Sequence, residues 1–274
     1  MQESSLFKEY LKILNVRVKE PGMVALKGLI NSHLTHIPFE NISKLYYKKT
    51  LGLNGIPTFE QYLEGIRKYN FGGTCYSNNF YFNQLLEYLG YKVILCGADM
   101  SSPDVHIVSI VTLEDQEYIV DIGNAAPFFE PLPRDLSSEF QINFGDDKYI
   151  LLPKGENGFS KLKLYRNGIL KHGYTVKPNS RRISEFDQVI KSSFESTATF
   201  MNAVLLVLFG VRENQSSIVI HNFSVTEFSG KIYKKRVLSN KNELIEEIEN
   251  KFRIPKKIVE ESLSQISDYK EVWD

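Results

Sequence analysis

Three side chains in this 274-residue sequence have the types and placement for nucleophilic chemistry: Cys75, His106 and Asp121. Cys75 follows Gly72-Gly73-Thr74 and precedes an apolar-periodic stretch carrying Phe80, Phe82, Leu85, Leu86 and Leu89. The glycines permit a tight backbone approach, and the cysteine falls in the first turn of a helix. Unpaired N–H groups and the positive end of the helix dipole favour a thiolate there. The other cysteine, Cys96, sits in the apolar run Val93-Ile94-Leu95-Cys96 and reads as core.

A thiol nucleophile needs a base, and the chain has five histidines. His106 lies in a β-rich run from Val105 to Leu113, and Asp121 near the end of the next, Tyr118 to Ile122. A turn of two residues (Glu114-Asp115) or four (Leu113 to Gln116) gives one register, with residue 106 opposite Gly123 and Asp121 two residues back on the partner strand. Diagonal residues on one face of a strand pair lie within reach of long side chains. An even-length turn therefore puts His106 and Asp121 on the same face, and an odd one separates them. The carboxylate would hold the imidazole's tautomer while the other ring nitrogen takes the thiol proton. His33 and His36 flank a helix end before Pro38 and read as structural. His172, in a polar turn-like stretch, and His221, on a strand with no nearby carboxylate in sequence, read as structural or surface residues.

The elements that must position these groups change character along the chain. Helical periodicity marks Leu6 to Leu14, Met23 to His33, Thr58 to Tyr69 and the stretch after Gly73. Thr58 with Gln61 forms a capping box, and Gly90 stops the fourth helix. Strands follow at Tyr91 to Gly97, Val105 to Leu113, Tyr118 to Ile122, Lys148 to Leu152, Lys161 to Tyr165 and Gly173 to Val176. The pattern turns helical from Ser184 to about Leu208. Strands return at Ser217 to Phe223 and Lys231 to Val237, with Val225 to Lys231 as the turn region between them. A charged helix at Lys241 to Lys251 and a shorter one after Pro255 complete the order: helices, a strand cluster, a small mixed piece.

Composition narrows the function classes. With 33 basic and 33 acidic side chains, the chain has no general electrostatic footprint for nucleic acid or an anionic membrane. The basic runs at Lys231 to Arg236 and Lys256-Lys257 read as solvated surface. No stretch approaches the roughly 18 apolar residues of a membrane span. The start, Met1 to Leu14, carries charges throughout and lacks the apolar core of a secretion signal. Two cysteines are too few for a disulfide framework, so a reducing cytoplasm is expected, and no cysteine–histidine cluster has metal-ligand spacing.

The sequence resembles the arylamine N-acetyltransferases. His36-Ile37-Pro38-Phe39-Glu40-Asn41-Ile42 is similar to that family's H-x-P-F-E-N-L stretch. Phe71-Gly72-Gly73-Thr74-Cys75-Tyr76-Ser77-Asn78-Asn79 is similar to its R-G-G-x-C-x-E-x-N signature. Leu85 to Tyr91, Val105-His106-Ile107-Val108 and Val120-Asp121-Ile122-Gly123 follow in the family's order, as do Pro127 and Pro131-Leu132. The resemblance covers residues 1 to 135 well and the remainder weakly. It implies a Cys75–His106–Asp121 triad, acetyl-CoA as acyl donor with no metal, and ping-pong transfer through an acetyl-cysteine to an arylamine, arylhydrazine or arylhydroxylamine, as in xenobiotic metabolism. It implies Thr74, Gly123, Asn124 and Ala125 on the cofactor side of the pocket. It also implies an α+β fold with a cysteine-protease-like core. Its expected parts are a helical bundle over 1–88, an antiparallel β-barrel over 89–188, an interdomain helical segment over 189–212 and an α/β lid over 213–274. Acetyl-CoA would enter the cleft between them.

The chain departs from the pattern at Phe71 for the arginine, Ser77 for the glutamate, and Asn124-Ala125 for the Phe-Gly after Asp-Val-Gly. Glu40 thereby loses its usual arginine partner. The interval from cysteine to histidine is short, consistent with a trimmed loop near Met100 to Pro103. Two alternatives use the same residues: a thiol hydrolase or amide synthase, as in papain-like and transglutaminase-like enzymes, and a degenerate relative that binds CoA or aromatic ligands without turnover.

Overall fold

The computed structural model describes residues 2–17, 19–211, 215–230 and 232–272. The expectations that touch Met1, Lys231 and the boundary at 213 lie outside these residues. The chain opens with helices α1 (Gln2–Ile13) and α2 (Met23–His36), a two-residue strand β1 (Phe39–Glu40), then α3 (Ile42–Leu51), α4 (Phe59–Tyr69) and α5 (Cys75–Tyr88). The Thr58–Gln61 capping box at the start of α4 is present in both directions. Helices α1, α2, α4 and α5 close one apolar core around Tyr10, Leu14, Leu26, Tyr62 and Phe82.

The middle of the chain is an antiparallel sheet of eight strands that curls into a nearly closed barrel. In chain order these are β2 (Lys92–Asp99), β3 (His106–Leu113), β4 (Gln116–Val120), β5 (Leu132–Pro133), β6 (Phe140–Phe144), β7 (Asp147–Leu151), β8 (Ser160–Arg166) and β9 (Ile169–Val176). Their spatial order, β5-β4-β3-β2-β9-β8-β7-β6, puts the hairpin β2–β3 near the middle of the sheet. Its interior is packed with Cys96, Val108, Ile110, Phe128, Leu162 and Val176. A 3-10 turn (Ile183–Phe186) leads into α6 (Asp187–Ser192) and α7 (Thr199–Asn202).

The final part is a five-stranded antiparallel sheet covered by two helices. Strands β10 (Leu205–Val211), β11 (Gln215–His221), β12 (Ser224–Ser229) and β13 (Ile232–Val237) follow β1 in the order β1-β10-β11-β12-β13, and α8 (Lys241–Phe252) and α9 (Lys256–Leu263) pack beside them. Because β1 belongs to the opening helical stretch, the first and last parts of the chain share one sheet through Phe39↔Val207 and Glu40↔Leu206.

Five elements differ from the sequence expectation. The helical reading from Ser184 to Leu208, and with it the helical segment over 189–212, ends early. Leu205–Val211 is strand β10, held between β1 and β11 and buried over most of its length. A short apolar run buried on both sides has no alternation to distinguish it from a buried helix. The expected turn region from Val225 to Lys231 is mostly strand β12; a tight turn at Asn222-Phe223 precedes it, and a second follows Ser229 at Gly230. Helix α3 begins soon after the expected break at Pro38, with the Glu40 carboxylate accepting from Ser43 N–H in its first turn. Strand β5 is two residues long and is fixed by its pairing with β4, and β6, whose residues alternate apolar and polar, is a strand that the sequence expectation did not include. The exposed strand β13 carries the basic residues of the run ending at Arg236 as solvent-facing groups.

Candidate active site

Cys75 is the first residue of α5, behind Thr74, whose extended backbone (φ −87°, ψ −174°) turns the chain into the helix. The Gly-Gly pair is required sterically. A Cβ on Gly72 would lie 1.8 Å from the Pro38 carbonyl oxygen, and one on Gly73 would lie 2.9 Å from Ser77 Cβ. This closeness lets Glu40 N–H donate to the Gly73 carbonyl at 3.1 Å and ties β1 to the turn before the nucleophile. Cys75 is 8% exposed, and its Sγ lies 3.9 Å from the Val105 carbonyl oxygen, directly before His106.

The turn between β3 and β4 has two residues, Glu114 and Asp115, both with positive φ (49° and 61°). The ladder therefore runs from Leu113↔Gln116 to Ser109↔Val120. Extended by three residues, that register sets His106 against Gly123, as the even-length turn requires. His106 Nε2 and Asp121 Oδ2 are 2.9 Å apart, both groups buried. Burial by itself would lower the imidazole pKa, but the charge and hydrogen bond of Asp121, together with Cys75, outweigh it and raise His106 to about 10. For Asp121, burial pushes the other way, and His106 with its further donors holds the carboxyl below its ordinary value. The ring nitrogen left over, Nδ1, is the one available to the Cys75 thiol.

Sequence reasoning quoted Asn79 only as part of a motif, and its role is larger. Asn79 Nδ2 donates to Asp121 Oδ1 (2.8 Å) and to the Ile107 carbonyl (2.6 Å), while its Oδ1 accepts from Ile122 N–H (2.9 Å). Gly123 N–H adds a second donor to Asp121 Oδ1 at 3.1 Å. Asn79 stands four residues after Cys75, so both project from one face of α5, and that spacing was the available signal. Gly123 allows the β4 end to meet that helix, since a Cβ there would lie 2.8 Å from Cys75 Cα. The short β2–β3 loop is anchored by Tyr76, whose hydroxyl donates to the Asp104 carbonyl (3.0 Å), and by Arg181 on the Asp104 carboxylate (2.7 Å). Tyr174 stacks obliquely on His106, ring centres 5.1 Å apart.

Cys75 and His106 open into a cavity of about 960 Å³ between the helical part, the barrel and the α6–α7 segment. Thr74, Gly123, Asn124 and Ala125, expected on the cofactor side, all line it. Asn124 Nδ2 is buried without a hydrogen-bond partner among the described residues, and Ala125 adopts a positive φ of 51°. A second cavity of about 640 Å³ between barrel and C-terminal sheet shares Asn124, Ala125, Lys171, His172 and Glu271 with the first. His172, expected in a turn-like stretch as a structural or surface residue, lies on β9 in the wall of both cavities; the β8–β9 ladder carries it there, which the polar residues around it in sequence did not suggest. Thr199 lines the first cavity while Ser196 and Thr197 are exposed outside it. Lys44, unnoticed in the sequence, lines it too.

The remaining residues take structural places. His33 is buried against the Tyr10 hydroxyl (2.9 Å), and burial depresses its pKa to about 3. His36 bonds within its own helix end, and His221 stands 3.5 Å from Glu271, a carboxylate remote in sequence. Burial pushes the Cys96 thiol to about 12. Phe71, in place of an arginine, packs edge-on against Tyr47 and obliquely against Tyr46 and Tyr69. Glu40 is fully buried; its carboxylate takes N–H bonds from Ser43 (2.8 Å) and Gly72 (3.0 Å), with burial raising its pKa. Backbone amides thus do the work of the missing arginine. Asn41 bonds the Ala203 carbonyl (2.7 Å) and Leu205 N–H (2.9 Å), which seats β10 beside β1. Among the described residues no group of three or more His, Cys, Asp or Glu side chains is arranged to hold a metal ion, and no helix is long and apolar enough to cross a membrane.

A family model described as N-acetyltransferase matches residues 23–259. An N-malonyltransferase of Fusarium pseudograminearum is 32% identical over 124 residues, covering 38% of this chain and 35% of that protein. The pineal gland isozyme NAT-3 of arylamine N-acetyltransferase from Gallus gallus is 30% identical over 124 residues, covering 42% of this chain and 41% of the relative. The chain thus spans well under half the length of these curated relatives. The solved structure of Mycobacterium marinum arylamine N-acetyltransferase in complex with CoA superimposes with a TM-score of 0.78 at 18% identity, over 95% of this chain and 99% of that one, a likeness of fold.

Proposed function

The chain belongs to the arylamine N-acetyltransferase family, and from that premise we propose that it transfers an acyl group from a CoA thioester to an aromatic amine or hydrazine through an acyl-Cys75 intermediate. The observation that carries this reading is the junction of a helix-N-terminal thiol with a buried His106–Asp121 pair at 2.9 Å, in the wall of one large cavity.

In the first half-reaction the Cys75 thiolate attacks the thioester carbonyl, with the proton held on His106. Backbone N–H groups around Cys75, at the start of α5, stabilise the oxyanion. The carbon–sulfur bond to CoA breaks, and the leaving thiolate takes the proton from His106. In the second half-reaction the amine nitrogen attacks the acyl-cysteine carbonyl, His106 takes the amine proton, and the bond to Cys75 breaks to regenerate the thiolate. Asp121 keeps the imidazole oriented in both directions. A thioester suits this nucleophile, since exchange of one thiol for another is nearly isoenergetic.

Thr74, Gly123, Asn124 and Ala125 are proposed to face the acyl and pantetheine end, with the free Asn124 amide as a donor. Lys161, Lys163 and Lys171 on β8 and β9 line the solvent side of the cavity and suit the phosphates of CoA. The triad needs reduced Cys75, so a cytoplasmic setting is part of the proposal. Steady-state kinetics test the two-step order. Parallel reciprocal plots are expected when acyl-CoA and arylamine are varied; intersecting lines, with no exchange between CoA and acyl-CoA in the absence of amine, would contradict it.

A further inference from the structure

Lys44 is a lysine in an unusual place. It occupies the first turn of α3, where the helix dipole opposes a cation, and no acidic side chain shares that turn. Its side chain is 8% exposed and faces the same cavity as Cys75 and His106. Nζ donates to Ser193 Oγ at 2.7 Å, and Ser193 sends its own proton to the Ile190 carbonyl at 2.6 Å. The Phe194 ring covers another side, with Nζ 4.1 Å from its centre. An ammonium has three donors, and one hydroxyl with one ring face leaves capacity directed to the cavity. Burial lowers its pKa to about 7; Cys75 is the attractive charge acting on it and Lys48 opposes it. A buried ammonium without a carboxylate is costly unless a ligand supplies one.

We infer that Lys44 is a recognition point for a free carboxylate in the Cys75 cavity, borne either by a dicarboxylic acyl donor or by an acidic aromatic acceptor. This rests on the acyl-transfer reading and deepens it. The carboxylate takes the free Lys44 donors, while the reacting carbonyl or amine lies at Cys75 in the same cavity. Lys44 neither accepts nor donates a proton in the transfer; it selects among substrates.

The two sources separate by half-reaction. Acyl-Cys75 formation from malonyl-CoA and from acetyl-CoA is compared by intact-protein mass spectrometry in wild type, Lys44→Met and Lys44→Arg. Preformed acetyl-enzyme is then offered 4-aminobenzoate or the neutral 4-aminobenzamide. In whichever arm wild type favours the carboxylate, Lys44→Met is expected to lower the ratio about tenfold or more, the size of one charge-assisted hydrogen bond. Lys44→Arg should keep the ratio within about threefold. Unchanged ratios in Lys44→Met, or an equal fall for both members of each pair, would overturn the inference. Should wild type accept no acyl group from either donor, the acyl-transfer reading fails, and the carboxylate site is judged by protection of Cys75 from iodoacetamide. Malonate, and not malonamide, should slow that alkylation in wild type. Absence of protection overturns the inference even where Lys44→Met does not fold.

Discussion

At the scale of single residues, the site is a chain of orientation: Asn79 and Gly123 fix Asp121, Asp121 fixes His106, and His106 serves Cys75. Asp121→Asn should slow acylation of Cys75 by roughly 10²- to 10⁴-fold with the fold retained, because the amide favours the wrong imidazole tautomer; a stopped-flow measurement of CoA release checks it. Asn79→Ala should give a smaller loss, about tenfold or more, because Gly123 N–H still holds the carboxylate. Burial lowers the His106 pKa, yet Asp121 and Cys75 raise it from 6.5 to about 10, so the stability this contributes is complete below pH 6.5 and is lost as pH climbs through about 10. Melting temperature should therefore fall more steeply over that interval in wild type than in His106→Gln, and parallel curves would contradict the assignment. The meeting of Cys75, His106 and Asp121, which we propose as a triad, was legible in sequence because each residue had a local reason: a glycine turn, a strand, an even-length hairpin. Lys44 was not, since nothing in the surrounding sequence reveals that Ser193, 149 residues away, and Phe194 next to it close over it.

At the scale of elements, caps, the β3–β4 hairpin turn and the barrel strands β2 to β4 were readable, and strand β10 was not. Thr58 with Gln61 and the two-residue turn at Glu114-Asp115 act through neighbours in sequence. Strand β10 is defined by β1 and β11, and its seat by Asn41, so its identity is a tertiary fact. Replacing Thr58 with Ala should cost about 1 kcal/mol of stability, read by chemical denaturation, with acylation kinetics unchanged. Replacing Glu114-Asp115 with Asn-Gly should raise the melting temperature by a few degrees, because both positions need positive φ. Gly123→Ala should behave oppositely to both: its Cβ meets Cys75 Cα, so acylation falls severely while the barrel remains folded.

At the scale of the whole molecule, the helical part carries Cys75, the proposed nucleophile, on α5, the barrel carries His106 and Asp121 on β3 and after β4, and the shared sheet β1–β10 brackets them. The proposed reaction needs groups from the helical part and the barrel brought to one cavity; Gly123 lies where those parts touch, while Gly72 and Gly73 let the turn before Cys75 close against Pro38 and Ser77. The departures at Phe71 and Ser77 leave this junction intact, because aromatic packing and backbone donors to Glu40 replace a charged network. The account stands on Cys75 carrying the acyl group. Incubation with acetyl-CoA, followed by intact-protein mass spectrometry and peptide mapping, should reveal one acetyl group, on Cys75, that vanishes on addition of an arylamine and never forms in Cys75→Ala. An acetyl group that persists in Cys75→Ala, or none on the wild-type protein with acetyl- or malonyl-CoA, would contradict it.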